Sequence, residues 1–316
     1  MQRFFMKTPL VRVGGAAAAC FPETTNIYFK LENLQPSGSF KIRGVSHMIS
    51  TIADQGNLKR LICSSGGNAG LAVATVGQQR NVPVEVFVPE TTKPMMVKKL
   101  EELGASVHVG GENWNAADAV ARLSVDPKKG SHYIPPYDDP LLWAGHASMI
   151  EEMAEEGVKP DAIILSVGGG GLLCGVQRGL ERVGWTDVEI IAVETNGAAS
   201  FAAAKKAGHP VMIPGINSIA TSLGARSVSE GTLDSDIVTK SFLVSDAEAV
   251  SGCLTLLNEY RFLVEPACGA SVAALMNSRL KEILPPRANN IAVIVCGGSN
   301  VNLNLMNEWA RDYGHK

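Results

Sequence analysis

The sequence has no C-x-x-C pair; its six cysteines stand singly at positions 20, 63, 174, 253, 268 and 296. In a chain of 316 residues, that scatter reads as buried or cytosolic thiols and excludes a disulfide framework or a zinc site. Long apolar runs are also missing: the longest cover five to nine residues, too few to span a bilayer. The first segment, Met1 to Val13, is broken by Arg3, Lys7, Pro9 and Arg12, so it lacks the apolar core of a signal peptide. Basic residues form no cluster, and 28 of them against 31 acidic ones leave a formal net charge of −3. Nothing in that balance attracts nucleic acid or an anionic membrane. There is no internal repeat, charge block or low-complexity tract. These absences together favour a cytoplasmic protein that handles a small molecule.

What is present is a core-building composition, 46% hydrophobic and 19% charged, with a mean hydropathy of +0.10. A chain of this length can bury two lobes or one large domain. Short runs rich in Val and Ile, such as IYFKLE from Ile27, the run around Lys59 to Ser65, VPVEVFVP, ASVHVGG, AIILSVGGGG, VEIIAVET and IAVIVCGG, predict strands. Between them NAGLAVATVGQQR, TTKPMMVKKLEELG, HASMIEEMAEEGV and GLLCGVQRGLERVG carry helical period. Strand and helix in alternation predict an α/β fold with mostly parallel sheet flanked by helices. The run Ala292–Cys296 suits a strand covered on both faces. The alanines after Gly14 and Gly15 predict a helix start, and Pro135, Pro136 and Pro140 mark a crossing between lobes.

In such sheets ligands gather at the carboxyl ends of strands, and four strand-terminal loops stand out. In Gln35–Gly44, Pro36 and Gly38 make a turn, Ser39 is placed to cap a helix, and Lys41 falls in its first turn. The positive end of the helix disfavours an ammonium there, which suits a lysine that must act as a Schiff-base nucleophile; an ordinary solvated lysine is the alternative. In Ser64–Gly70 small residues let backbone N–H groups approach a carboxylate at a helix start, although a plain turn would read the same. Gly168–Gly171 exposes successive backbone donors before a helix, as a phosphate requires. It lacks the Lys-Ser/Thr of a nucleoside-triphosphate loop and does not match G-x-G-x-x-G. Cys296–Asn300 ends the last strand, where Cys296 could face a ligand ring or close the core.

SGSFKIRG, SSGGNAG, SVGGGGLLCG and VCGGSN, together with IPPYDDPLLWAGHAS and VEPACGA, follow one another here as in the serine/threonine dehydratases, close to the catabolic serine dehydratase branch. The resemblance covers nearly the whole chain. It implies a fold-type II pyridoxal-phosphate enzyme with a large lobe of residues 1–35 and 137–316, a small lobe of residues 36–136, and the cofactor between them. It implies that Lys41 bonds the cofactor, Phe40 packs on its ring, Asn68 bonds its 3′ oxygen, and Gly168, Gly169, Gly170, Gly171 and Leu172 cradle its phosphate. Cys296 would lie at the pyridine nitrogen. Ser64, Ser65, Gly66, Asn68 and Ala69 would surround the substrate, whose carboxylate falls to Ser64, Ser65 and Gly66. A monovalent cation, potassium, would be held by Gly168, Glu194, Ala198, Ser200, Leu223 and Ala225. For Glu194 a capping or surface carboxylate is the plain alternative.

The implied reaction is β-elimination from L-serine to pyruvate and ammonia, and from L-threonine to 2-oxobutyrate and ammonia, by a homodimer. Lys41 takes the Cα proton, while the weak thiol partner at the ring nitrogen favours elimination over transamination. Gly66 leaves out a methyl-sized contact with substrate, a difference of about 1–3 kcal/mol. A serine racemase on the same scaffold is the nearest rival, with Ser65 as its second acid/base. A catalytically silent relative would have lost the lysine, the asparagine or the glycine loop. A cysteine synthase would carry a T-G-N-T-G-type loop, and a biosynthetic threonine deaminase more chain beyond Asn300. His132 and His146 are read as structural.

Overall fold

The computed structural model describes residues 2–286 and 288–314. Ten strands occur among them: β1 Leu10–Val13, β2 Asn26–Lys30, β3 Arg60–Cys63, β4 Val84–Val88, β5 Ser106–Val109, β6 Ser131–Tyr133, β7 Ala162–Ser166, β8 Glu189–Thr195, β9 Thr239–Val244 and β10 Asn290–Ile294. The α-helices are α1 Lys41–Asp54, α2 Asn68–Arg80, α3 Pro94–Glu102, α4 Trp114–Leu123, α5 Pro140–His146, α6 Ser148–Glu155, α7 Gly171–Arg182, α8 Ser200–Ala207, α9 Asp246–Tyr260, α10 Pro266–Met276, α11 Leu280–Ile283 and α12 Leu303–Tyr313. None is long and apolar enough to cross a membrane among the described residues. The chain divides into two compact units. One takes the chain through Met6 and Gln35–Gly145; the other takes Lys7–Leu34 and the chain from His146 onward.

The first unit is built on a four-stranded sheet in the order β5-β4-β3-β6, parallel throughout. Leu61, Ile62 and Cys63 of β3 are all fully buried, as a central strand with helices on both faces requires. Helix α4 opens with Asn113 accepting the Ala116 N–H at 3.2 Å, an ordinary N-cap. Its Ala121 packs against Ile62 and Phe87, with Tyr133 and Val125 at the edge of that cluster. One turn before Ala121, Asp118 therefore lies beside the ends of β3 and β6.

The second unit carries a six-stranded sheet in the order β1-β2-β10-β7-β8-β9. Only β1 runs antiparallel to its neighbour among these pairs. Every residue of β7 is buried, and so is every residue of α10 from Pro266 to Leu275. A helix apolar all round belongs in the interior of a core. The α/β expectation is met in both units. The alanine run, by contrast, forms only a 3₁₀ turn at Gly15–Ala18 with no side-chain cap. Ser39 does not cap α1 either: Phe40 takes the cap position in helical conformation, and the buried Ser39 hydroxyl has no hydrogen-bond partner among the described residues.

Candidate active site

In the first unit Lys41 is the first residue of α1. Its Nζ donates to the Pro136 carbonyl at 2.6 Å and stands 5.1 Å from the centroid of the Phe40 ring. The loop between β3 and α2 lies in the same unit and begins with a hydroxyl already engaged. Ser64 is fully buried, and its Oγ donates to Asp118 Oδ1 at 2.6 Å and lies 2.8 Å from the Tyr133 hydroxyl. The Tyr133 hydroxyl also donates to Asp118 Oδ1, and Arg122 Nε donates to Oδ2 at 2.7 Å. Burial works against the Asp118 carboxylate, but the bonds from Ser64, Tyr133 and Arg122 outweigh it and hold its pKa below the ordinary range. Burial and the same carboxylate push the Tyr133 phenol well up. Burial also pushes the neighbouring Cys63 thiol up to about 12, which leaves it unreactive.

Ser65 is in a different position. Its Oγ accepts the Gly67 N–H at 3.3 Å, so its own proton remains to be given. Gly66 follows, where an added Cβ would stand 2.7 Å from Thr92 Cγ2 and 3.1 Å from Val88 Cγ1. The space a methyl would need is taken by Thr92, a neighbour that the sequence did not reveal. Asn68 then begins α2, and the N–H groups of that first turn have no partner within the helix.

In the second unit the glycine loop joins β7 to α7. The Gly169 carbonyl accepts from both the Ser229 N–H and the Ser229 Oγ, each at 3.0 Å. Because a trans peptide opposes its two polar groups, the Gly170 N–H points the other way, with the free donors of the α7 first turn. Gly170 has φ of +95°, and a Cβ there would stand 2.2 Å from Thr232 Cγ2; one on Gly168 would stand 3.0 Å from Leu223 Cα. Thus the chain comes closest where side chains are absent. At the end of β10, Cys296 Sγ is 3.5 Å from Ser166 Oγ. A hydrogen bond with Cys268 holds the Cys296 thiol below its usual range, while burial pushes Cys268 well up. Nearby, Glu265 accepts from Ser222 Oγ and from the Asn300 N–H at 3.0 Å.

The residues expected around a cation also lie in the second unit. Glu194 is fully buried and accepts the Phe201 and Ala202 N–H groups at 2.7 and 2.8 Å. Burial outweighs those bonds and pushes its carboxyl up to about 7. Ser200 is fully buried too, and its Oγ has no hydrogen-bond partner among the described residues. Ala198 and Leu223 are buried, and the Leu223 carbonyl receives the Ala225 N–H at 2.8 Å.

The profile of the family described as pyridoxal-phosphate dependent enzyme matches residues 1–297. The chain belongs to that family. Human L-serine dehydratase/L-threonine deaminase is 45% identical to this pyridoxal-phosphate-dependent enzyme over 287 residues, covering 88% of this chain and 87% of the relative. The crystal structure of a fungal L-serine ammonia-lyase from Rhizomucor miehei superposes with a TM-score of 0.90 at 33% identity, over 99% of this chain and all of that one (100%). Maize serine racemase gives a TM-score of 0.87 at 26% identity, over 99% and 93% of the two chains.

The residues of this pyridoxal-phosphate enzyme fit its cofactor. Three glycines and a helix start offer backbone donors without side chains, and the peptide held by Ser229 fixes their direction; a phosphate group would fit such donors. Lys41 supplies a primary amine at the end of a flexible stem, the group an aldehyde needs.

Proposed function

We propose that this enzyme eliminates the β-hydroxyl of L-serine and L-threonine, releasing pyruvate or 2-oxobutyrate with ammonia. The observation that carries the reading is Lys41 at the head of α1, its amine held at 2.6 Å from the Pro136 carbonyl. That amine sits in the same unit as the loop between β3 and α2, where the Ser65 hydroxyl has a proton to give. The identity to a serine dehydratase/threonine deaminase supports the same choice of substrate.

When bound, the cofactor supplies the electron sink for the bond that breaks at Cα; its phosphate would rest on Gly168–Gly171 and Leu172, its ring against Phe40, its 3′ oxygen at Asn68 and its nitrogen at Cys296. The substrate carboxylate is held by the Ser65 hydroxyl and the backbone N–H groups of Gly66, Asn68 and Ala69 at the α2 N-terminus. Ser64 is withdrawn from that role, since its single proton goes to Asp118. Lys41 Nζ takes the proton from Cα, in a position fixed before the substrate arrives. Loss of the β-hydroxyl as water and hydrolysis of the released enamine, after tautomerisation, consume and return one water, so the balance is amino acid to 2-oxo acid and ammonia.

A potassium ion fits the second unit. Among the described residues the buried Glu194 carboxylate has no ion-pair partner and the Ser200 hydroxyl no hydrogen-bond partner; one cation with the carbonyls of Gly168, Ala198, Leu223 and Ala225 would satisfy both. The dehydratase resemblance further supports a cytoplasmic, catabolic homodimer. The likeness to maize serine racemase, with the free Ser65 proton, favours racemisation as the second reading.

The test is 2-oxo acid release from L-serine and L-threonine by purified protein with pyridoxal phosphate and potassium, beside Lys41→Ala. Product from the wild type and none from the variant is expected. Conversion of L-serine to D-serine without 2-oxo acid would replace elimination by racemisation.

A further inference from the structure

The cluster around Asp118 takes no part in the reaction proposed above, yet four of its polar side chains bond one another. It draws on three elements. Ser64 follows the end of β3, Tyr133 closes β6, and Asp118 and Arg122 are one turn apart on α4. Arg122 closes it from above, its guanidinium carbon 4.2 Å from the Tyr133 ring centroid, a stacked cation that also pairs with the carboxylate.

Proton counting decides what this cluster does. A hydroxyl carries one proton, and an ionised carboxylate carries none but accepts several. Ser64 and Tyr133 both lie within bonding distance of the same Asp118 oxygen, so the carboxylate accepts a hydrogen bond from each. The root of the loop is thereby tied at a point 54 residues away in sequence. The next residue, Ser65, carries the hydroxyl that is left free.

We propose that Asp118 is a positioning residue for substrate binding: by accepting hydrogen bonds from the Ser64 and Tyr133 hydroxyls it fixes the root of the Ser64–Gly67 loop, and so places Ser65 and the α2 N-terminus against the carboxylate of the amino-acid substrate. What the loop binds rests on the dehydratase reading; how Asp118 holds the loop does not. Alanine at 118 offers no acceptor, so the Ser64 and Tyr133 hydroxyls and Arg122 all lose their partner there. The loop then loses its tie while the lysine and the glycine cradle are untouched. Binding is the quantity that changes, and the chemical step follows its usual rate once substrate is held.

The experiment is a double-mutant cycle on the holoenzyme, using Asp118→Ala, Ser64→Ala and their combination. The primary readout is glycine binding, followed by the change in cofactor absorption; glycine has a carboxylate and an amine but no β-hydroxyl to eliminate. Each single variant is expected to weaken glycine by about tenfold, the scale of one lost charge-assisted hydrogen bond. The double variant should be no weaker than the worse single one. KM for serine should rise in parallel, with kcat changed by less than about threefold. Unchanged glycine affinity in Asp118→Ala would overturn the proposal, as would single effects that multiply in the double variant. Where Asp118→Ala fails to fold, Tyr133→Phe takes its place in the cycle with Ser64→Ala, and multiplying effects overturn the proposal there too. Should the wild type bind glycine but release no 2-oxo acid, the dehydratase reading falls and the cycle still decides the role of Asp118.

Discussion

Gly66 shows how one missing methyl is governed by a residue outside its own loop. From the sequence, a methyl at this position faces the substrate and improves the fit. In the structure that methyl would meet Thr92 Cγ2 at 2.7 Å, a separation that forces something to move. Overpacking of this kind costs about 1–3 kcal/mol. Gly66→Ala is therefore expected to lower kcat/KM for serine by about tenfold, and Gly66→Ala with Thr92→Ser, which deletes the offending methyl, to recover most of it. Steady-state kinetics on the three variants check this; equal losses in the single and double variants would show that Thr92 is not the obstacle. The same scale contains the correction at Ser64. Its neighbours in sequence suggest a substrate ligand, while its hydroxyl is bonded to a carboxylate on another helix. Residue type was legible and the direction of the proton was not.

At the scale of elements, the strands β2, β3, β4, β5, β7, β8 and β10 fall on the runs rich in Val and Ile, and helix bounds were legible where glycine marks them. NAGLAVATVGQQR is α2 to the residue, because the glycines before Asn68 stop any earlier helix and Asn81, left-handed at φ 56°, ends it. Strands β1, β6 and β9 carry no such signal. β6 is three residues long and β9 interrupts its apolar run with Lys240 and Ser241; both are held by pairing with a neighbouring strand. The alanine run fails to become a helix, since Gly14 supplies no cap and a single turn pays nucleation without propagation. The glycine loop leading into α7 was legible as a donor-rich turn because its requirement is local: no side chain, and at Gly170 a positive φ. Gly170→Ala adds strain in φ and a Cβ 2.2 Å from Thr232 Cγ2. It is expected to destabilise the cofactor-free protein by about 1–3 kcal/mol and to weaken cofactor affinity by more than tenfold. Thermal melting and titration with pyridoxal phosphate measure the two effects separately. Gly208→Ala, at a helix end with open space around it, serves as the control for backbone strain alone.

For the molecule as a whole, the buried Glu194 links stability to pH and to salt. Its carboxyl, at about 7 when folded, lies above the ordinary value, so the folded state holds the proton more tightly than the unfolded one. That contribution is complete below the ordinary carboxyl range and is lost as pH rises through about 7, a span worth about 3 kcal/mol. A cation bound to the carboxylate acts in the opposite sense and favours the charged form. Potassium is therefore expected to raise the melting temperature clearly at about pH 8 and little at about pH 5. Melting curves in potassium and in choline at both pH values test this; an equal rise at both would separate Glu194 from the cation. The sequence by itself determined the strand–helix alternation, the lysine at a helix head, the donor-rich glycine loop and the family, because each depends on residues within about ten positions of one another. Only the tertiary structure decided which hydroxyl keeps its proton, which carboxylate lies buried without a countercharge and what occupies the space beside Gly66. Those outcomes depend on strand order and helix packing, which bring Ser64 to Asp118 across 54 residues and leave Ser200 without a partner, and no local pattern encodes them.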